Sequence, residues 1–401
     1  MKNRKIIFVV CIVALNLRLG ISSIPPLIGL IKQDLLLSNF QVSLLTSIPV
    51  ICMGIMAFGV KRMQQQLGRD WSILICLILL TIGMGSRMVF SNYWSLVVSA
   101  IVIGFAIAII GPLLSGLIKE YFPQQTGLLI GVYSISMGVG SAVASNFSLS
   151  LAKNSWSFAL GSWSILTLIA GIVWFFIMGK QATRSTFTHA SSGFPLKRSQ
   201  AWKMVLFFGL QSGMFYGVST WLVELLVQKG FSRGEASHYL TLFVIVQMLF
   251  SFIIPVLMDH WGSTRSWILL CGCLILLGVG SLMTTVSLLL IVGILLIGFG
   301  LGGYFPIAML LPLQASDDSL EASLWTGMVQ SFGYIVGGII PILLGFLVDI
   351  FQSFDVFLYG MISLCGGVLL LTIQGRGYEH DEKSESSERD DSTAGKIHRA
   401  K

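Results

Sequence analysis

The chain has 401 residues, of which 55% are hydrophobic and only 11% charged, with a mean hydropathy of +0.85. A soluble domain carries about 25% charged residues, so this composition excludes a soluble enzyme or binding module and points to a polytopic membrane protein. The net charge of +7 is scattered over short loops, which is not the footprint of a nucleic-acid-binding protein.

In chain order, the first element is MKNRKIIFVVCIVALNLRLG. Basic residues precede an apolar run, as in a signal peptide, but no small-residue cleavage site follows, so it is read as a retained first span over 6–31. Arg18 lies inside it, ~18 Å from Ile6 at 1.5 Å per residue. That is near mid-depth of a core about 30 Å thick, where a charge costs roughly 3 kcal/mol or more. Eleven further spans follow at 39–60, 70–89, 94–118, 126–150, 157–178, 203–227, 236–258, 266–284, 287–313, 323–348 and 355–373. The polar, Ser/Thr-rich stretch around Gly193 and Pro195 reads as a linker, and the chain beyond Arg376 as a disordered tail. The domains expected are therefore 1–179 and 203–375, six helices each, with 180–202 as cytoplasmic linker and 376–401 as cytoplasmic tail.

Lys and Arg in the loops set the orientation. With both termini inside, 19 basic residues fall in inside segments and 4 in outside segments. A multi-pass protein of the cell membrane with both termini cytoplasmic is expected. All six cysteines fall within spans and read as packing residues. The five histidines do not cluster at metal-ligand spacing, and no nucleophile has a base beside it, so neither a metal, a cofactor nor an enzymatic activity is expected. GFGLGG at 298–303 lacks the strand and soluble βαβ unit that a dinucleotide fingerprint needs.

The halves repeat each other. Gly104, Phe105 and Pro112 match Gly298, Phe299 and Pro306 at a constant offset of 194, and Gly68 matches Gly262. Ser136 and Gly138 pair with Ser331 and Gly333 at 195. A parallel repeat of six helices is the pattern of major facilitator transporters, with the solute site near the midplane between the halves. PVLMDHWGSTR around Asp259 resembles the loop signature of that superfamily, and KRMQQQLGR is its first-half copy. Asp259 and Arg69 are expected to latch the two halves at the cytoplasmic side by ion pairing and helix-end capping.

More specific stretches are NLRLGISSIPPLIGLI, GPLLSGLIKEYFPQQTGLLIGVYSISMGVGSAVAS, LQSGMFYGVSTWL, GGYFPIAMLL and WTGMVQSFGYIVGGIIPILLGFLVD. Together they resemble the cyanate and 2-nitroimidazole transporter family within the major facilitator superfamily, over most of residues 10–350. The resemblance implies an all-α fold of twelve transmembrane helices in two pseudo-symmetric bundles. It also implies a secondary carrier for a small anionic or nitro-bearing organic solute, working by alternating access.

Arg18 offers a planar fork of donors to such a solute, and no acidic residue lies at its depth in any span. The alternative is that Arg18 bonds backbone carbonyls freed near Pro25 and Pro26. Ser22, at i+4, shares its face. The repeat puts Gln211 and Ser212 near its level, with Phe215 and Tyr216 one turn later. Tyr133, Gln247, Gln330 and Tyr334 are further candidates at similar depth, each balanced against a role as interhelical glue. Arg87 is expected to snorkel to the headgroups and Trp221 to belong to an interfacial belt. Coupling is expected through protons, by way of Glu224 or the solute, or through a counter-solute. The bilayer and a small-molecule solute are the expected partners of a monomer. The competing functions are a multidrug-type efflux carrier for neutral or aromatic compounds, which would not depend on Arg18, and a non-transporting membrane sensor.

Overall fold

The computed structural model describes residues 2–56, 59–178, 194–258, 260–261, 263–315 and 319–374. Asp259 and Gly262 lie outside these, as do most of the predicted linker and the predicted tail. All regular structure among the described residues is helical. This is what hydrocarbon demands of a chain that cannot leave backbone groups unpaired. The helices are α1 (Lys2–Ser22), α2 (Ile28–Leu35), α3 (Asn39–Met56), α4 (Val60–Leu67), α5 (Arg69–Val89), α6 (Tyr93–Tyr121), α7 (Thr126–Leu151) and α8 (Trp156–Ser162). They continue with α9 (Ser164–Met178), α10 (Ser199–Gln228), α11 (Arg233–Met258), α12 (Thr264–Leu282), α13 (Ser287–Leu313), α14 (Ser319–Phe351) and α15 (Asp355–Gln374).

Among the described residues, 11 helical segments are long and apolar enough to cross a membrane. Two of them are composite: Arg4–Leu35 joins α1 and α2, and Trp156–Met178 joins α8 and α9. The predicted seventh span, α10, is 30 residues long but less apolar than these. Gln211, Ser212, Ser219 and Thr220 dilute it, and 19 of its residues are buried, so it has little lipid to face. With α10, which is of spanning length, twelve such helical segments lie among the described residues, the number the sequence leads one to expect. The short amphipathic α4 connects α3 to α5 through Gly68, whose φ of +78° suits a residue without Cβ.

The break between α1 and α2 has a clear cause. Pro25 and Pro26 have no N–H, so the carbonyls four residues earlier lose their helical partners. The chain tightens into a 3-10 turn at Pro25–Leu27, and Ile24 N–H bonds Ile21 O at 3.3 Å rather than the carbonyl of Gly20.

Two helix pairs form most of the seam between the halves: α3 against α14, and α7 against α11. Glycines permit the approach; a Cβ on Gly338 would lie 3.2 Å from Ser47 O, and Gly138 faces Met248. Call the end that holds the start of α1 and the close of α15 the near end. At the far end both halves share one core, in which Ile24, Leu27, Ile28 and Val42 pack with Val218, Trp221, Leu240 and Leu344. Toward the near end the first half keeps a core of its own, from Ile6 to Met178.

Candidate functional site

The α1 break turns the face carrying Arg18, Ser22 and Pro25 onto a cavity between the halves. The first half also supplies Ile21, Thr46, Ser141 and Ser145; the second supplies Phe215, Tyr216, Ser219, Thr220, Leu240 and Val244. The empty space amounts to about 390 Å³, counting the part open at its mouth.

Arg18 is half-buried and is the one charged side chain among the cavity-lining residues. Its Nη1 donates to the Tyr216 hydroxyl at 3.1 Å, and its Cζ sits 5.9 Å from the centre of that ring. One bond to a neutral hydroxyl uses one of five guanidinium donors. Tyr133 and Tyr334 lie close enough to interact electrostatically with Arg18. Hydroxyls line the adjoining wall. Ser22 and Ser141 are 2.7 Å apart, Ser145 Oγ donates to Ser141 O at 2.8 Å, and Thr220 donates to Thr46 across the seam at 3.0 Å. Ser219 Oγ is buried with no partner. Phe215 stacks on Phe243 at 6.0 Å and closes the apolar side. The result is a cationic point on a wall of neutral hydroxyls and aromatic rings.

The sequence left open whether Arg18 is occupied by carbonyls freed near Pro25 and Pro26. A different arginine takes the freed carbonyl. Arg87 Nη1 donates to Gly20 O at 2.9 Å and its Nε to Ser99 Oγ at 2.8 Å. Arg87 is 1% exposed, which corrects the expectation that it snorkels. It ties α5 to α6 and to the α1 break, two residues from Arg18. Arg87→Ala is therefore expected to cost about 3–5 kcal/mol, from a buried void plus an orphaned carbonyl. The readout is the melting temperature of purified protein, with Arg87→Lys, which keeps a donor, recovering part of the loss.

The other candidates separate. Arg18, Ser22, Phe215 and Tyr216 meet in the cavity; Tyr133 and Tyr334 are not among its lining residues but lie near Arg18. Gln211 and Ser212 do not line it: both are buried, and Gln211 Nε2 donates to Ser212 Oγ at 2.7 Å. Ser212 shares the helical face of Tyr216, but at its level α14 covers that face; a Cβ on Gly337 would lie 2.7 Å from Ser212 Cβ. Gln330 Nε2 meets Met309 Sδ at 3.2 Å between α14 and α13, and Gln247, half-buried on α11, is not among the cavity-lining residues. Arg69 pairs with Asp70 and Glu120 and lies 5.7 Å from the Tyr121 ring centre. These partners belong to the first half, so among the described residues Arg69 joins α5 to α6; Asp259, the other expected latch residue, lies outside them. Trp221 is fully buried and donates to Pro341 O at 3.2 Å, which corrects its assignment to an interfacial belt. Glu224 accepts from Arg233 at 2.5 Å at the far end.

Sequence reasoning missed Thr46, Ser141, Ser145, Ser219 and Thr220. The signal was present as Ser141 and Ser145 at i,i+4 on one face of the fifth span.

Comparison with known proteins gives a consistent picture. The family model described as Major Facilitator Superfamily matches residues 10–341, with a second match over 230–396. The uncharacterized transporter YycB of Bacillus subtilis is 29% identical over 387 residues, which is 95% of either chain. The 2-nitroimidazole transporter of Escherichia coli is 28% identical over 380 residues, 93% of this chain and 95% of the relative. The cyanate transport protein CynX of Escherichia coli is 25% identical over 374 residues, 92% and 96% respectively. Among solved structures, a D-xylose-proton symporter superposes with a TM-score of 0.73 at 16% identity, covering 94% of this chain and 98% of that one.

Proposed function

The chain belongs to the major facilitator superfamily, and from that premise we propose that it is a secondary carrier of a small anionic or nitro-bearing organic solute, held by Arg18 and moved by alternating access. The observation that carries the proposal is the Arg18 fork, facing a cavity between two halves, with a neutral tyrosine hydroxyl as its hydrogen-bond partner. A guanidinium in that setting favours an electron-rich acceptor, which a carboxylate or nitro group supplies with two coplanar oxygens and a linear cyanate-like anion with its charged ends. Relatives named for cyanate and 2-nitroimidazole support the same solute class.

In this proposal residues 1–179 and 203–375 are the moving bodies, 180–202 links them and 376–401 is a tail. The near end faces the cytoplasm of a cell-membrane monomer, as the loop charges favour. The far end, where the halves share a core, is then closed toward the outside. Glu224 is paired with Arg233 away from the cavity, which favours coupling through the solute or a counter-solute over coupling through that carboxylate.

The test is uptake of labelled cyanate and 2-nitroimidazole by proteoliposomes. Saturable uptake of either, competed by the other, is the expected result; uptake equal to that of empty liposomes for both contradicts the solute class. Tyr216→Phe removes the hydroxyl that orients Arg18 and leaves the ring. A net hydrogen bond contributes about 1 kcal/mol, so KM is expected to rise roughly fivefold with the maximal rate little changed.

A further inference from the structure

We propose that Asp349 is a lock across the far end, a carboxylate of the second half that caps the first turn of a helix in the first half.

The first N–H groups of a helix have no partner within it. For α3 they can be accounted for one by one. Ser38 Oγ accepts from Gln41 N–H at 3.2 Å, and Gln41 Oε1 accepts from Ser38 N–H at 2.9 Å, a reciprocal capping box. That leaves Asn39 and Phe40. Their N–H groups donate to Asp349 Oδ1 and Oδ2 at 2.9 and 2.8 Å. Both oxygens of a residue on α14 are thus engaged by backbone on α3, some 310 positions earlier. A carboxylate there also meets the positive end of the helix dipole.

The neighbourhood holds this arrangement in place. A Cβ on Gly345 would lie 3.0 Å from Asn39 O, so the glycine lets α14 approach closely enough for Asp349 to reach. Phe40 packs edge-on against Phe346, and Lys32 Nζ donates to Asn39 Oδ1 at 2.8 Å. The Arg233 guanidinium, paired with Glu224, lies against Gly29 at the same end. The cross-half hydrogen bonds from Arg18 outward end at Asp349.

The inference rests on the alternating-access proposal. Opening the far end must part α3 from α14 there, and both N–H groups then lose the carboxylate together. Removing the lock shifts the population toward the far-end-open state.

The test uses the full chain in detergent, its six cysteines replaced by alanine, with a reporter Val42→Cys. Val42 is 0% exposed in the shared core beneath the lock. Maleimide labelling of the reporter is expected to be at least tenfold faster with Asp349→Ala, and intermediate with the isosteric Asp349→Asn, which can accept only through its single amide oxygen. Labelling at the parent rate in both variants overturns the lock. If Asp349→Ala loses its monodisperse elution, the Asp349→Asn rate alone decides on the same criterion. A parent-rate result with Arg18-dependent uptake intact sinks the lock and spares the carrier; uptake independent of Arg18 sinks the carrier's solute site and spares the lock.

Discussion

Arg18→Ala is expected to abolish measurable uptake while the carrier still reaches the membrane folded. Among the described residues the guanidinium makes one hydrogen bond, to the Tyr216 hydroxyl on α10, so its removal gives up a single bond between the halves and leaves the packing of α1 on α7 in place. What is lost is the charge-assisted contact with the solute, about 1.5–3 kcal/mol per hydrogen bond, or roughly 10- to 150-fold in affinity. If the solute uses two prongs of the fork, KM leaves the measurable range. Arg18→Lys keeps the charge without the fork and should retain weak uptake. The efflux-carrier alternative predicts the opposite: transport of neutral compounds that does not depend on Arg18.

Gly140→Val should prevent folding. A Cβ on Gly140 would overlap the backbone carbonyl of Leu15, so α7 and α1 touch backbone to backbone. A carbonyl cannot rotate out of the way as a side chain does, so the helices must part. Overpacking costs about 1–3 kcal/mol where neighbours can adjust, and more where they cannot. Leu15 is one turn from Arg18, so the shift also displaces the anchor. Loss of monodisperse protein after detergent extraction is the expected result. Gly116→Ala is the control, because a Cβ there meets nothing within 4 Å; it should behave as the parent. Parent-like behaviour of Gly140→Val would mean that α1 and α7 are not in backbone contact.

Much of this architecture is legible in the sequence, because a bilayer leaves a chain few options. Apolar runs of spanning length become helices, and the offset of 194 between glycine-proline motifs identifies the two halves. Even α10, diluted by its Gln, Ser and Thr residues, was read as a span by its length. Arg18 was legible for a related reason: a charge inside an apolar run is costly enough to need a purpose. Arg87 was not. It lies near a span end, where snorkelling is the ordinary outcome, and its burial depends on a carbonyl freed by prolines more than sixty residues earlier. Ser141 and Ser145 share one helical face, but only the close approach of α1 to α7 brings the Ser141 hydroxyl to Ser22. Ser212 sits on the face the sequence suggested, yet α14 covers that level through Gly337. Asp349 fell just past the predicted end of the eleventh span, where a carboxylate reads as solvated. Its role depends on which helix start the opposite half presents to it.

Whether the Arg18 fork holds the solute is read by a thermal-shift titration of purified protein with cyanate and 2-nitroimidazole, in the parent and in Arg18→Ala. A ligand that binds only the folded state stabilises it by about 2.7 kcal/mol at a hundredfold excess over Kd. At least one of the two is expected to raise the parent's melting temperature with saturation, and neither to raise that of Arg18→Ala. Equal stabilisation of both proteins would contradict it, since the solute would then be held by something other than the Arg18 fork.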